Sequence, residues 1–461
     1  MRNLATLEQF TVVCSTPRGG QSCPPRFARA QASRGAVGKT AHRAISRYIR
    51  PLTALAGVAV LCAALGCTGG PAETEDEADA GGPAEAASWP MFHGRQDMAG
   101  VAPGRLPKAL ALRWKFQTEG PVKSSPAIEL AAGAPSEKVS GTLRLKVPDT
   151  FSDPAGRVFV GSNDGHLYAL DLADGRKVWA YETADAVEAA PLVLDGAVYV
   201  GSVDGFLYAL DAATGALRWK YETQDKILGG ANWVRSPQGD RTWILVGSYD
   251  MSLHCVDAAT GKAVWTAETG NYINGTPAVV DGKIVFGGCD GLIRVLAPAD
   301  GRELLSIQAG GYVAGAVAVA GDRFYAADYD EKLTCAQVDT GKTVWEYAGE
   351  DAGFYASPAV GPREVVIGGR DNKVHCLDRE TGKPRWTFAT RREVESSPAI
   401  CGGKVVVGSN DGRLYLLRLA DGKELASFEV GRPVTSSPAV AGGWVVVGGE
   451  DGAVYAFGPK P

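Results

Sequence analysis

The sequence predicts an all-β fold: an eight-bladed propeller of four-stranded antiparallel blades, the last one completed by a strand from the N-terminal side. Three observations carry this. A phrase close to Val-Gly-Ser-x-Asp-Gly-x-Leu-Tyr-Ala-Leu-Asp recurs down the chain, with its turn aspartate at Asp164, Asp204, Asp250, Asp290, Asp330, Asp371, Asp411 and Asp451. Successive copies stand 40, 46, 40, 40, 41, 40 and 40 residues apart, the length of one four-stranded blade. Gly supplies 59 of 461 residues, as many tight turns between short strands require.

Each element of the repeat has a local reason. Asp-Gly between alternating apolar runs, as in Lys404–Gly408, Asp411-Gly412 and Leu414–Leu417, is a hairpin, because both turn positions favour φ > 0. Ahead of the hairpin lies a short strand of small residues, Ser124–Ile128, Ser396–Ile400 and Ser436–Val440 in its clearest copies. Small side chains suit the crowded innermost strand around a channel. Behind the hairpin comes Asp-x-x-Thr-Gly-Lys, as in Asp257–Lys262, and then a tryptophan. Trp179, Trp219, Trp265, Trp345 and Trp386 each follow their aspartate by 15 residues, with Leu305 and Ala426 in the two departing copies. A large aromatic repeated on the outer strand wedges between blades, burying ~150–250 Å² each. The eighth hairpin, Trp444 to Phe457, runs out of chain before its outer strand. Leu112-Arg113-Trp114-Lys115-Phe116 supplies that strand, so Trp114 joins the docking set and the ring closes without a free sheet edge.

The N-terminal part reads as an address and an anchor. Residues 1–66 carry nine Lys/Arg and one acid, and end in an apolar run from Leu52 to Leu65 followed by Gly66-Cys67. A basic region, a short apolar region and a small residue before the cut make a secretory signal, and the run is too short for an ordinary membrane span. The cut before a cysteine resembles a bacterial lipoprotein signal, with Ala64-Leu65-Gly66-Cys67 as lipobox and Cys67 as the lipidated residue. Residues 67–88 form an acidic linker whose composition cannot bury a core. Its 21 residues after the cysteine give a tether of roughly 25 Å reach. Residues 89–461 form the propeller. Beyond residue 66 the chain holds 38 basic and 51 acidic residues, and this balance, with no basic stripe, excludes nucleic acid as a partner.

The Asp-x-x-Thr-Gly-x-x-x-Trp repeats resemble the tryptophan-docked propellers of the PQQ-like repeat family. The lead-in Trp89-Pro90-Met91-Phe92-His93-Gly94 is similar to the opening of many bacterial members. The family includes quinone-dependent dehydrogenases and the propeller lipoprotein of the outer-membrane β-barrel assembly machine, so it implies a fold more firmly than a function. Its dehydrogenases roof their cofactor with long loops, carry an adjacent-cysteine disulfide, hold Ca²⁺ with acidic and amide side chains and use an aspartate base. This chain has no Cys-Cys pair and no alignable calcium or base motif, so neither pyrroloquinoline quinone nor Ca²⁺ is expected, nor any catalytic residue. Cys255, Cys335 and Cys376 share a slot with Ala169, Ala209 and Ala456 and read as small buried fillers. His254 and His375 stand where other copies have Tyr168, Tyr208, Tyr415 and Tyr455, and read as strand residues rather than metal ligands.

Function is expected on the face around the channel. The position just before each inner strand varies freely: Lys123, Glu188, Asn274, Ala314, Tyr355, Glu395 and Thr435, with Tyr272, Tyr312 and Phe354 nearby. Residues released from the packing of the repeat form a binding rim. Insertions at Glu129–Gly156 and Arg235–Arg241 are expected on the opposite face. The reading is a monomeric, non-enzymatic, lipid-anchored scaffold binding envelope proteins in the bacterial periplasm, at the outer rather than the inner membrane. A role in outer-membrane protein assembly is implied by the resemblance. The alternative is a pyrroloquinoline-quinone-type oxidoreductase or small-ligand-binding relative.

Overall fold

Eight antiparallel sheets follow one another along the chain, each built from an innermost strand, a hairpin and an outer strand. The computed structural model describes residues 87–131, 155–349 and 352–460. The signal segment, Cys67, the acidic linker up to residue 86 and residues 132–154 of the first insertion lie outside the described residues. Blade 1 consists of Ala127–Leu130, Gly156–Gly161, His166–Asp171 and Lys177–Glu182. Blades 2 to 7 span 192–222, 232–268, 278–308, 318–348, 359–389 and 399–429. Neighbouring innermost strands meet around the ring, that of blade 8 lying against that of blade 1.

Closure follows the sequence reading. Leu110–Gln117 pairs antiparallel with Ala453–Pro459, Trp114 opposite Ala456, and completes the sheet of Ala439–Ala441 and Trp444–Gly448. The tryptophans dock on the turn of the following blade. The indole Nε1 of Trp114, Trp179, Trp219, Trp265, Trp345 and Trp386 donates to the carbonyls of Leu172, Ala212, Ala258, Pro298, Arg379 and Leu419 at 2.7–3.1 Å. The indole lies flat on the turn glycine, Gly175 for Trp114, where a Cβ would come within 2.6 Å of the ring. The turn glycines also have positive φ, so the Thr-Gly or Asp-Gly turn and the tryptophan are two halves of one joint. Ala426 lacks a tryptophan because blade 8 has no such turn: its outer strand comes from the other end of the chain.

In five of the eight copies the described residues show the repeat aspartate as a lock between blades. Asp164, Asp204, Asp250, Asp290 and Asp411 accept the backbone N–H of Glu119, Ala184, Gln224, Gly270 and Arg391 from the preceding blade. Blade 5 departs: Asp328, two residues earlier than the position given by the spacing, accepts from Gly310. His254 and His375 extend this lock. Asp250 meets His254 at 3.0 Å, whose other ring nitrogen meets Tyr221 of blade 2 at 3.0 Å, and Asp371, His375 and Tyr347 repeat the chain. Cys255, Cys335 and Cys376 are free and fully buried, and burial pushes their thiols up.

The lead-in takes a path that the repeat pattern does not predict. Trp89 exchanges two hydrogen bonds with Ile128 of blade 1. The carbonyls of Pro90, Gln96, Asp97, Ala99 and Gly100 then accept from Val193, Val279, Val319, Val360 and Ile400, and Asn232 of blade 3 also donates to Gln96. Val101–Ala102 finally adds a short parallel strand to blade 7. The segment therefore straps the innermost strands of blades 1 to 7 at one end of the channel, with Met91, His93 and Met98 buried beneath it.

Candidate functional site

The strap runs past the far ends of the inner strands, and the central space opens on the rim as a funnel. Its volume is about 180 Å³, with Phe92 of the strap among its lining residues. The wall is a belt of one residue per blade: Ser125, Ala190, Gly230, Thr276, Ala316, Ser357, Ser397 and Ser437. In blades 5 to 8 the belt amide donates to the hydroxyl of the next blade: Ala316 to Ser357, Ser357 to Ser397, Ser397 to Ser437 and Ser437 to Ser125, at 2.8–3.0 Å.

Around the mouth the structure brings most of the predicted rim together. Lys123 pairs with Glu188 at 3.2 Å, and Asn163 donates to the same carboxylate at 2.7 Å. Tyr272 stacks on Tyr249 with centroids 4.5 Å apart, and the Lys226 ammonium sits 4.4 Å over Tyr249. Tyr249 donates to Asn274, which donates to the carbonyl of Ala314. Tyr312 meets Tyr329 edge-on, and Tyr329 meets Tyr355 at 4.7 Å. The Arg370 guanidinium lies 4.7 Å over Tyr355 and pairs with Glu395 at 3.3 Å. Burial keeps the phenols of Tyr249 and Tyr355 neutral by raising their titration, so they remain hydrogen-bond donors. The two ion pairs are partly exposed and contribute ~0–1 kcal/mol each; they orient the arginine and lysine more than they stabilise the fold.

One predicted rim residue belongs elsewhere. Phe354 is fully buried and packs edge-on against His375. It fills the slot that other blades give to Val122, Val187, Ile227, Ile273, Val313, Val394 and Val434, one residue before the rim, where the side chain turns into the blade. Conversely, Tyr249, Tyr329 and Arg370 were not among the candidates. They occupy the variable position before the repeat aspartate in Ser-x-Asp-Gly. The backbone N–H of that position donates to the residue two before the rim in all eight blades, as Tyr249 does to Lys226 and Tyr329 to Tyr312. A variable position between fixed neighbours was the available signal. Leu228, the rim residue of blade 3, also lines the funnel.

On the opposite face, Arg235–Arg241 connects the first and second strands of blade 3, as expected. It caps a groove with Trp243, Asp257 and Lys262. Among the described residues, no group of three or more His, Cys, Asp or Glu is placed to hold a metal ion, and no helix is long and apolar enough to cross a membrane.

Comparison with known proteins agrees with the architecture. Three stretches, 111–238, 230–353 and 348–460, match the family model described as outer membrane protein assembly factor BamB. No curated protein matches significantly. Among solved structures, BamB from Moraxella catarrhalis is 19% identical, with 76% of this chain and all of that one covered and a TM-score of 0.59. A europium-containing methanol dehydrogenase is 14% identical over 81% of this chain and 98% of that one, at 0.62. The quinohemoprotein alcohol dehydrogenase from Comamonas testosteroni is 15% identical over 81% of each chain, at 0.63. At such identities these structures share the fold alone, whereas the family model spans nearly all of the ring: the chain belongs to the BamB-type PQQ-repeat β-propeller family.

Proposed function

We propose that this protein is a non-enzymatic, lipid-anchored scaffold of the bacterial envelope whose rim binds protein partners, in a role related to outer-membrane protein assembly. The observation that carries the reading is the tyrosine–arginine sector of blades 3 to 6. Tyr249, Tyr272, Tyr312, Tyr329, Tyr355 and Arg370 form two cation-capped aromatic groups beside the funnel. Tyr and Arg dominate the energetics of protein interfaces, since each combines apolar area with a polar tip. The funnel lining holds one carboxylate, Glu188, and no Lys or Arg, which favours the binding reading over a site for a tricarboxylate quinone.

The test is retention of partners. Immobilised protein is incubated with detergent-solubilised envelope, and retained proteins are identified by mass. Tyr329→Ala, Tyr355→Ala and Arg370→Ala are each expected to lower retention at least tenfold with the thermal midpoint little changed. Cys67→Ser is expected to move the protein from the membrane pellet to the soluble fraction. A triple rim variant that still holds every wild-type partner would refute the rim as the binding surface.

A further inference from the structure

The two ends of the ring differ in charge. Among the described residues, the connections between strands at the rim end hold 17 acidic and six basic side chains. Those at the opposite end hold nine acidic and eleven basic. The rim excess is built into the repeat, because each hairpin turn there carries an aspartate. At the opposite end the cations gather in blades 6 to 8, whose connections hold six basic residues against Glu380 and Asp421. Residues 103–109 contribute two of them. They cross this end from the innermost strand of blade 7 to the outer strand of blade 8 and expose Arg105 and Lys108. Lys404 joins them, donating to the carbonyl of Leu106 at 2.9 Å. Burial lowers its pKa, and Arg105 and Lys108 lower it further. None of the three forms an ion pair among the described residues. Leu112, on the outer strand that follows, is 52% exposed, more than any other large apolar side chain described.

The chain reaches the ring at this same end. Ser88 accepts the N–H of Leu130, the last residue of the innermost strand of blade 1, and that strand runs away from the rim. Blade 1 lies against blade 8, so a tether from Cys67 would arrive beside the basic sector. A tether of roughly 25 Å reach does not by itself choose which face meets the membrane. Charge does. Cations beside a lipid anchor are drawn to anionic headgroups, and an exposed leucine can enter the interface. The acidic rim is repelled by the same surface. We infer that blades 7 and 8 rest by Arg105, Lys108, Lys404 and Leu112 on anionic lipid headgroups, so that the rim faces away from the membrane and stays open to partners. This rests on the lipid-anchor reading above.

Energy transfer from the lipidated protein, reconstituted on vesicles, tests this. A donor dye is attached at Ala109→Cys on the basic end or at Ala184→Cys on the rim, both exposed positions, and the acceptor is a headgroup-labelled lipid. On vesicles of phosphatidylcholine and phosphatidylglycerol, two to one, transfer from position 109 should exceed that from position 184 at least twofold. The preference should vanish on phosphatidylcholine alone, in high salt and in the variant Arg105→Glu/Lys108→Glu, whose thermal midpoint should hold because both side chains are exposed. Equal transfer from the two positions on the mixed vesicles would overturn the surface. So would a preference that survives on phosphatidylcholine alone or in the double variant. If the protein parts from the vesicles on gel filtration, it is the anchor that fails. The unanchored protein is then sedimented with the mixed vesicles at low salt: weaker binding of the double variant upholds the surface, and equal binding overturns it. Arg370→Ala should leave every one of these readings unchanged, so failure of the rim and failure of this face are told apart.

Discussion

Blades 5 to 8 and blades 1 to 4 hold the centre of the same ring in different ways. At the belt, the amides of blades 5 to 8 end on hydroxyls of the next blade; one residue earlier, in blades 7, 8 and 1, serine hydroxyls bridge the gap between inner strands, Ser124 donating to the carbonyl of Ala189. Ser396 donates to the carbonyl of Ser436, and Ser436 to that of Ser124, while each accepts from a glycine of its own second strand. Across blades 3 to 5, which reach from one half into the other, the same position is Gly229, Gly275 and Gly315. A Cβ there would lie 2.9, 2.5 and 2.9 Å from the carbonyl oxygen of the next blade, so the backbones touch directly. The serine ladder joins neighbouring inner strands through its hydroxyls. Glycine contact needs no hydroxyl: in blade 5 the backbone at Gly315 touches the next blade while the Ala316 amide still reaches the Ser357 hydroxyl. Asymmetry in a repeat fold arises where the packing rule is met by the backbone instead of a side chain.

The largest effect should come from breaking the seam that both halves share. Trp114 joins blade 8 to blade 1, and Trp114→Ala should destabilise by ~3–5 kcal/mol, the range for emptying a buried aromatic site. Leu305→Ala, at the blade 4–5 junction, should cost clearly less in the same urea titration. Leu305 shares its place over Gly341 with Ile307, and no indole hydrogen bond is lost. Equal costs would mean that the tryptophan joint adds nothing to closure.

The strap gives a second, pH-dependent handle on the ring. His93 is completely buried, contacts the carbonyl of Met98 at 3.0 Å and has φ of 54°. Burial lowers its pKa from 6.5 to about 4, against a smaller opposing effect of the Met98 bond. The folded state therefore favours neutral imidazole. Its stabilisation is complete above pH 6.5 and is lost as pH falls towards 4, by about 3 kcal/mol at ~1.4 kcal/mol per pH unit. Thermal midpoints measured between pH 7 and 4 should fall for the wild type and fall less for His93→Asn, since Asn tolerates positive φ and does not titrate. Parallel curves would place the acid sensitivity elsewhere.

How much of this was legible in the sequence depends on what repeats. The blades, the tryptophan joints and the closing strand were readable because each recurs at fixed spacing, and Trp114 sits in the same register as its five internal counterparts. Phe354 was misplaced because an aromatic in an otherwise Val/Ile slot looks like a rim residue until the inward turn of the chain is seen. Asp328 took over the lock of Asp330 because the Ser/Gly slot of that copy is itself an aspartate. The strap has no period at all, so its seven-blade course could not be read. Tyr249, Tyr329 and Arg370 needed the pairing of two variable positions that lie 17–23 residues apart in sequence.

The smallest effect separates the two halves most directly. Ser437→Ala removes the acceptor of the Ser397 amide and the hydroxyl stays missing, because alanine cannot replace it. Leaving that donor unpaired should cost about 1–3 kcal/mol. The Thr276 hydroxyl, at the same belt position of blade 4, accepts no belt amide among the described residues, so Thr276→Ala should cost less. Hydrogen exchange at the Ser397 amide reads the difference locally: a loss of about 1.4 kcal/mol speeds exchange roughly tenfold if opening is local. In Thr276→Ala, the Gly230 amide should exchange at its wild-type rate. If both amides respond alike, the belt is hydrogen-bonded all the way round in solution, and the difference between the two halves is not a feature of the working protein.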